Sequence, residues 1–444
     1  WSDSSSIYVI SSSLDIADAA QGRGRLHEMQ NQRQAAASIA TRSVTALAPR
    51  DIHDAVAAAF AGFKCERPRP AYLELPLDLL NQPAGSGWQA RSLPARPRAG
   101  ADQLDEAAGL LGGARQPVLI VGGGAVDAAA PARAVAEALG AIVLTTIAGK
   151  GIVPAGHPLC LGSRMPQPAV QQLLREADVI LVAGSEISET DLWDATIEFS
   201  GKIIRIDLDP ASLARPHGAA VAILADAALT LAAIAGKLAG RDPAKRRAAS
   251  EARIAGLVRN EAAGENELRR DMRKLLTVIR EALPADAIVA SDMTQIAYAA
   301  NEIFPMDTPR AWIHPVGFGT LGFALPAAIG AKVGLPNRPV AALAGDYGFQ
   351  YTVNELGTAV EMKQSLPILL WNNGVLGAIR DDMIGKGIQP NAVTLRNPDF
   401  QALAHAYGAH AEKPGSLSQL GAAIARSLNA GVPTLIEMTP QLLH

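Results

Sequence analysis

Short apolar runs alternate with helical stretches along most of this chain, and that rhythm restricts it to few folds. Pro117–Val121, Ala141–Leu144, Val179–Ala183 and Ile203–Asp207 form one series. Ile288–Ser291, Val340–Ala344, Ile368–Trp371 and Thr434–Glu437 form a second. Such runs read as strands buried on both faces, and their alternation with helices predicts parallel, doubly wound sheets. The chain is therefore α/β. Aromatic residues are only 4% while Ala, Gly, Leu and Val abound, which suits helices packed closely on parallel sheets better than a β-sandwich.

Two irregular stretches divide the chain. The first, Pro83 to Gly100, carries Pro83, Gly85, Gly87, Pro94, Pro97 and Gly100 and reads as a linker. The second, Arg241 to Arg270, is rich in Arg, Glu and Ala and reads as a surface helix joining two domains. Three α/β domains are expected, at residues 1–85, 101–240 and 263–444. The first keeps only two strand candidates, Ile7–Ser11 and Ala71–Leu75, and reads as incomplete. The chain reaches the apolar run Ile7-Tyr8-Val9-Ile10 almost at once, so residues before Trp1 are expected, about a hundred for a domain of ordinary size.

A net charge of −3 without a basic run argues against nucleic acid as a partner. No apolar run approaches the length of a membrane span, and no signal peptide is expected. Cys65 and Cys160 fit no metal spacing. The expected setting is a reducing, cytoplasmic one.

Two glycine-bearing turns stand out. Gly122-Gly123-Gly124 follows a strand, but Asp127 stands where a nucleotide fingerprint needs its last Gly, so a tight strand-to-helix turn is the favoured reading. Gly345-Asp346-Tyr347-Gly348 follows the run Val340–Ala344, and Asn372-Asn373 follows the next run, Ile368–Trp371. Both pairs would stand at one edge of a parallel sheet, where α/β proteins bind ligands. A hard cation such as Mg²⁺ takes oxygen ligands and shares them with phosphates. Asp346 offers a carboxylate, Asn373 an amide oxygen and Val375 a backbone carbonyl. Glycines and a helix N-terminus offer N–H groups to a diphosphate. Either Asp346 or Asn373 alone could be a helix cap; the pair favours ligation.

Gly345-Asp346 through Asn372-Asn373 resembles the GDG…NN motif of thiamine-diphosphate enzymes. Gly319-Thr320-Leu321-Gly322-Phe323-Ala324-Leu325-Pro326-Ala327-Ala328-Ile329-Gly330 resembles the pyrimidine-holding segment of the acetolactate synthase and 2-oxo-acid decarboxylase group. The resemblance covers the whole chain and implies pyrimidine-binding, central and diphosphate-binding domains in that order. It implies thiamine diphosphate with Mg²⁺ at Asp346, Asn373 and the Val375 carbonyl. Gly345, Tyr347 and Gly348 would line the diphosphate loop, with Thr294 and Gln295 as further diphosphate contacts. Leu321 would be the bulky residue that bends the cofactor, with ordinary core packing as its alternative role. The Gly319 carbonyl would accept from the 4′-amino group.

Departures accompany the likeness. Tyr347 replaces the second Gly of the motif, so its ring must point away from the phosphate while its N–H stays available. Val316 replaces a usual Gly. The family's activating Glu lies in the early part of the pyrimidine-binding domain, and no residue of this chain takes that role. After Val179–Ala183, flavin-binding relatives have an Arg, whereas this chain has Glu186 and Glu189, so bound FAD is not expected. The resemblance implies a homodimer or homotetramer with shared active sites.

The segment after Asn373 bears on substrate. Ala378, Ile379 and Asp382 share a helical face, which in the family looks toward the substrate. Asp382 stands where acetolactate synthases have a large aromatic residue. A carboxylate there would suit a guanidinium tail, and Gly24–Arg33 also resembles decarboxylases of 5-guanidino-2-oxopentanoate. Equally, Asp381 and Asp382 could be a solvated face paired with Arg380. The expected reaction is decarboxylation of a 2-oxo acid, with an acetolactate-forming carboligase and a non-catalytic binding protein as alternatives.

Overall fold

The computed structural model describes residues 1–19, 21–84, 88–193, 198–214 and 217–443. Its strands form three sheets of three, six and six strands, and every strand pair is parallel. The first sheet contains β1 (Tyr8–Ser13), β2 (Arg42–Thr45) and β3 (Ala71–Pro76), in the order β1-β3-β2. β1 is an edge that pairs with β3 alone. The sequence pattern reads it as buried, yet Val9 is 43% and Ile10 55% exposed.

The second sheet contains β4 (Pro117–Val121), β5 (Ile142–Thr145), β6 (Cys160–Gly162), β7 (Val179–Ala183), β8 (Lys202–Asp207) and β9 (Val221–Leu224). Its order is β6-β5-β4-β7-β8-β9. β4, β5 and β7 are buried along their whole length, as strands covered by helices on both faces must be. The turn residues Gly122 and Gly124 serve packing. A Cβ on Gly122 would stand 2.4 Å from the Gly184 carbonyl oxygen. The Gly124 N–H donates to that same oxygen at 2.9 Å. This is the tight turn that the missing third Gly favours.

The third sheet contains β10 (Ile288–Ser291), β11 (Trp312–Ile313), β12 (Val340–Gly345), β13 (Pro367–Trp371), β14 (His410–Glu412) and β15 (Thr434–Met438), in the order β11-β10-β12-β13-β15-β14. Its order reverses between β10 and β12, as the second sheet's does between β4 and β7. Such reversal points open a crevice beyond the carboxyl ends of the strands.

Of the two dividers, residues 88–100 carry no helix or strand, while Gly85 and Gly87 lie outside the described residues. The second divider contains the helix Ala244–Gly264, which buries Ile254 and packs Leu257 and Val258 on the central core. Lys150 binds the central and C-terminal parts together. Its buried ammonium donates to the Ser163 hydroxyl at 3.1 Å and to the carbonyls of Ala300 at 3.3 Å and Asn301 at 2.8 Å. Burial, with Arg164 nearby, pushes its pKa down to about 7. Among the described residues no helix is long and apolar enough to cross a membrane.

Candidate active site

Asp346 directly follows the buried strand β12 and heads the helix Asp346–Tyr351. Its side chain is therefore held at the carboxyl edge of the sheet, turned toward the chain that follows β13. One carboxylate oxygen, Oδ1, accepts the Tyr347 N–H at 2.9 Å. The other, Oδ2, accepts the Gly374 N–H at 2.9 Å and the Asn397 amide at 2.7 Å. Burial raises its pKa above the usual carboxylate range, against the opposing hydrogen bonds from Asn397, Gly374 and Tyr347. The carboxylate has no ion pair among the described residues. A carboxylate so placed is suited to receive a cation.

The β13 end supplies the remaining oxygens. Asn373 donates from its amide to Gln295 Oε1 at 3.2 Å, and its Oδ1 accepts the Val375 N–H at 3.3 Å. The Leu395 N–H donates to the Gly374 carbonyl, and the Leu376 N–H to the Val393 carbonyl. That pairing leaves the Val375 carbonyl without a hydrogen bond among the described residues. Asn372 turns the other way, donating to Glu437 at 2.8 Å and accepting from Asn397 at 2.9 Å.

No cluster of three or more His, Cys, Asp or Glu able to hold a metal occurs among the described residues. A cation here would have one carboxylate, one amide oxygen and one carbonyl from protein. That donor set fits Mg²⁺ sharing its shell with phosphate oxygens. Thr294 and Gln295 close the crevice from the β10 side. A Cβ on Gly345 would meet the Thr294 hydroxyl at 2.8 Å, and one on Gly377 would meet the Gln295 amide at 3.0 Å. The structure thus brings Thr294, Gln295, Gly345, Asp346, Asn373 and Gly377 together.

The segment Gly319–Gly322 is anchored by Asp292, which sequence reasoning missed. Asp292 follows β10, and both its oxygens accept the Gly322 N–H, at 3.1 and 3.0 Å. Further N–H groups of Phe323 and Ala324 oppose the upward shift that burial imposes on its pKa. The helix Ala324–Gly334 has no side-chain cap of its own, so this carboxylate stands in for one. Gly319 and Gly322 have φ of +69° and +83°, which only glycine adopts freely. Asp292 also explains Gly348, where a Cβ would come within 2.5 Å of its carboxylate. The available signal was position: Asp292 follows a strand at the same edge as Asp346.

Other expectations need correction. The Tyr347 ring does turn aside, packing edge-on against Tyr351 with centroids 5.5 Å apart, but its N–H is engaged by Asp346 rather than available. Leu321 is half-buried and belongs to no hydrophobic cluster, so core packing does not account for it. Asp382 does not line the cavity between the central and C-terminal parts. Its side chain is 62% exposed and pairs with Lys386, one helical turn on, at 2.9 Å. Asp381 pairs with Arg380 at 2.7 Å. Glu186 is not a bare charge either, since Arg67 grips it bidentately at 2.8 and 2.7 Å. Repulsion of a flavin diphosphate by Glu186 therefore loses most of its force.

A cavity of about 370 Å³ opens beside this crevice, between the central and C-terminal parts. Met293 and Ala378 line it near the crevice, and Asp191 and Trp193 line it from the central part.

Residues 292–438 match the thiamine pyrophosphate enzyme C-terminal TPP binding domain, and residues 104–234 match the thiamine pyrophosphate enzyme central domain. The chain is 42% identical to a probable 2-ketoarginine decarboxylase of Pseudomonas aeruginosa, over 99% of this chain and 78% of that protein. It is 32% identical to the acetolactate synthase large subunit of Corynebacterium glutamicum, over 86% of this chain and 64% of that protein. A sulfoacetaldehyde acetyltransferase of Castellaniella defragrans is 29% identical, over 74% of this chain and 61% of that protein.

Proposed function

The chain belongs to the thiamine pyrophosphate enzyme family, and from that premise we propose that it decarboxylates 5-guanidino-2-oxopentanoate, also called 2-ketoarginine. The observation that carries the cofactor site is Asp346, a buried carboxylate with no ion pair among the described residues, near Asn373 and a Val375 carbonyl that accepts no hydrogen bond among them. Asp346, Asn373 and Val375 would hold Mg²⁺, and Thr294 and Gln295 would contact the diphosphate. When bound, thiamine diphosphate supplies the electron sink for the carbon–carbon bond that breaks as CO₂ leaves.

The chain's residues then have distinct tasks. Asp292 holds the Gly319–Gly322 turn in its left-handed shape, so that the Gly319 carbonyl can accept from the cofactor's amino group. Leu321, outside the core, would be free to pack against the cofactor. Asn397 fixes Asp346 and Asn372 together, so the metal oxygens stay in place without a further charge. The activating Glu would come from the pyrimidine-binding domain of a partner subunit, in a homodimer or homotetramer. FAD is not part of this reading.

The substrate assignment is supported by the likeness to the 2-ketoarginine decarboxylase. Full-length protein supplied with Mg²⁺ and thiamine diphosphate should release CO₂ and 4-guanidinobutanal from 5-guanidino-2-oxopentanoate. Acetolactate from pyruvate, with the guanidino acid untouched, would return the chain to the carboligase reading. Cofactor binding without turnover of either acid would leave a non-catalytic binding protein.

A further inference from the structure

The cavity beside the crevice contains two acids of different standing. Glu302 is already neutralised, accepting from Arg269 at 2.9 Å and from Gln167. Asp191 is 8% exposed and has no ion pair among the described residues. Among the described residues its oxygens accept from neutral donors: the Ser188 hydroxyl at 2.9 Å, the Ile147 N–H at 3.3 Å and the Ser188 N–H. Burial pushes its pKa up to about 6, and the nearby Glu186 acts in the same direction. A buried carboxylate on a cavity wall, held by neutral donors alone, is matched to a cation that arrives from outside.

The cavity's other end borders the cofactor crevice. Met293 lies between Asp292 and Thr294, and its methyl group would stand 3.3 Å from a Cβ on Gly319. Ala378 follows Gly377, which packs on Gln295. A 2-oxo acid reacting beside Gly319 would thus send its tail past Met293 toward Asp191. Trp193, 66% exposed, also lines the cavity and offers an aromatic face. A guanidinium uses both features, since it pairs with carboxylates through a planar fork and stacks on aromatic rings.

We propose that Asp191 is the specificity-determining residue that receives the guanidinium end of the substrate, with Trp193 stacking on it, in the cavity between the central and C-terminal parts. The proposal rests on the decarboxylase reading above and names the group that would make that reaction selective. It moves recognition of the tail from Asp382, which pairs with Lys386 in the open, to a walled site.

The test compares 5-guanidino-2-oxopentanoate with 5-ureido-2-oxopentanoate, a neutral analogue of nearly the same shape, on full-length protein loaded with Mg²⁺ and thiamine diphosphate. Wild type should favour the guanidino acid by about ten- to a hundred-fold in kcat/KM, the range of one charge-assisted contact. Asp191→Asn should collapse that ratio toward one while leaving turnover of the ureido acid within about two-fold. Asp382→Asn should leave the ratio intact. An unchanged ratio in Asp191→Asn overturns the proposal, as do equal losses on both acids. The wild-type preference is an independent arm if Asp191→Asn does not fold: equal turnover of the two acids by wild type overturns the subsite and leaves the decarboxylase reading standing. Failure to decarboxylate either acid, with pyruvate consumed, overturns that reading and the subsite together.

Discussion

The two six-stranded sheets face the same situation where their strand order reverses. In the central sheet the crevice between β4 and β7 is closed by backbone: Gly122 and Gly124 approach Gly184 so closely that no side chain fits between. In the C-terminal sheet the carboxyl ends of β10 and β12 lead into carboxylates instead. Asp292 and Asp346 are both buried there, and each is satisfied mainly by N–H groups. Glycine serves packing at the first crevice. At the second it makes way for acids, since Gly348 leaves room for Asp292 and Gly345 for Thr294. A shared topology offers a place for a ligand; which residues close the place decides whether one can enter.

The same substitution at the two crevices should separate these roles. Gly122→Ala forces a Cβ against a carbonyl that cannot move alone, and should cost about 1–3 kcal/mol of stability. Thiamine diphosphate affinity should stay within two-fold of wild type. Gly348→Ala presses instead on the Asp292 carboxylate, and should lower cofactor affinity by about ten-fold through loss of the Gly322 anchor. Chemical denaturation and calorimetric titration of both variants check this. Equal affinity losses would erase the distinction between the crevices. Leu321→Ala should have the smallest effect on stability, about 1 kcal/mol or less, because Leu321 is half-buried and outside the core clusters. Its decarboxylation rate should nevertheless fall by about ten-fold or more. A folded Leu321→Ala protein turning over at the wild-type rate would remove Leu321 from the site.

Legibility in the sequence followed burial. Val179–Ala183 and Ile288–Ser291 are read from the sequence with the bounds the structure gives, because a strand covered on both faces is a continuous apolar run. β2, β6, β9, β11 and β14 have two to four residues each and escaped notice. Arg42-Ser43-Val44-Thr45, for example, is a strand only because β3 pairs with it. Within the site, Asp346 and Asn373 were legible as strand-end residues on neighbouring strands. Asn397 was not, because it lies in irregular chain and reaches Asp346 only through the fold. Asp382 misled because helical spacing gives a face without saying what that face meets. Asp191 carried no sequence signal of its own; its distinction is that, among the described residues, no cation pairs with this buried carboxylate.

On the reading proposed above, Asp346 is the charged protein ligand of a metal-bound diphosphate. Calorimetric titration of thiamine diphosphate into full-length protein tests it, with wild type compared with Asp346→Ala, each in the presence and absence of Mg²⁺. Wild type should bind tightly only with Mg²⁺. Asp346→Ala should bind at least about a hundred-fold more weakly, as expected when a buried charged partner is lost, and added Mg²⁺ should restore little. Wild-type affinity and an intact Mg²⁺ requirement in Asp346→Ala would contradict the account.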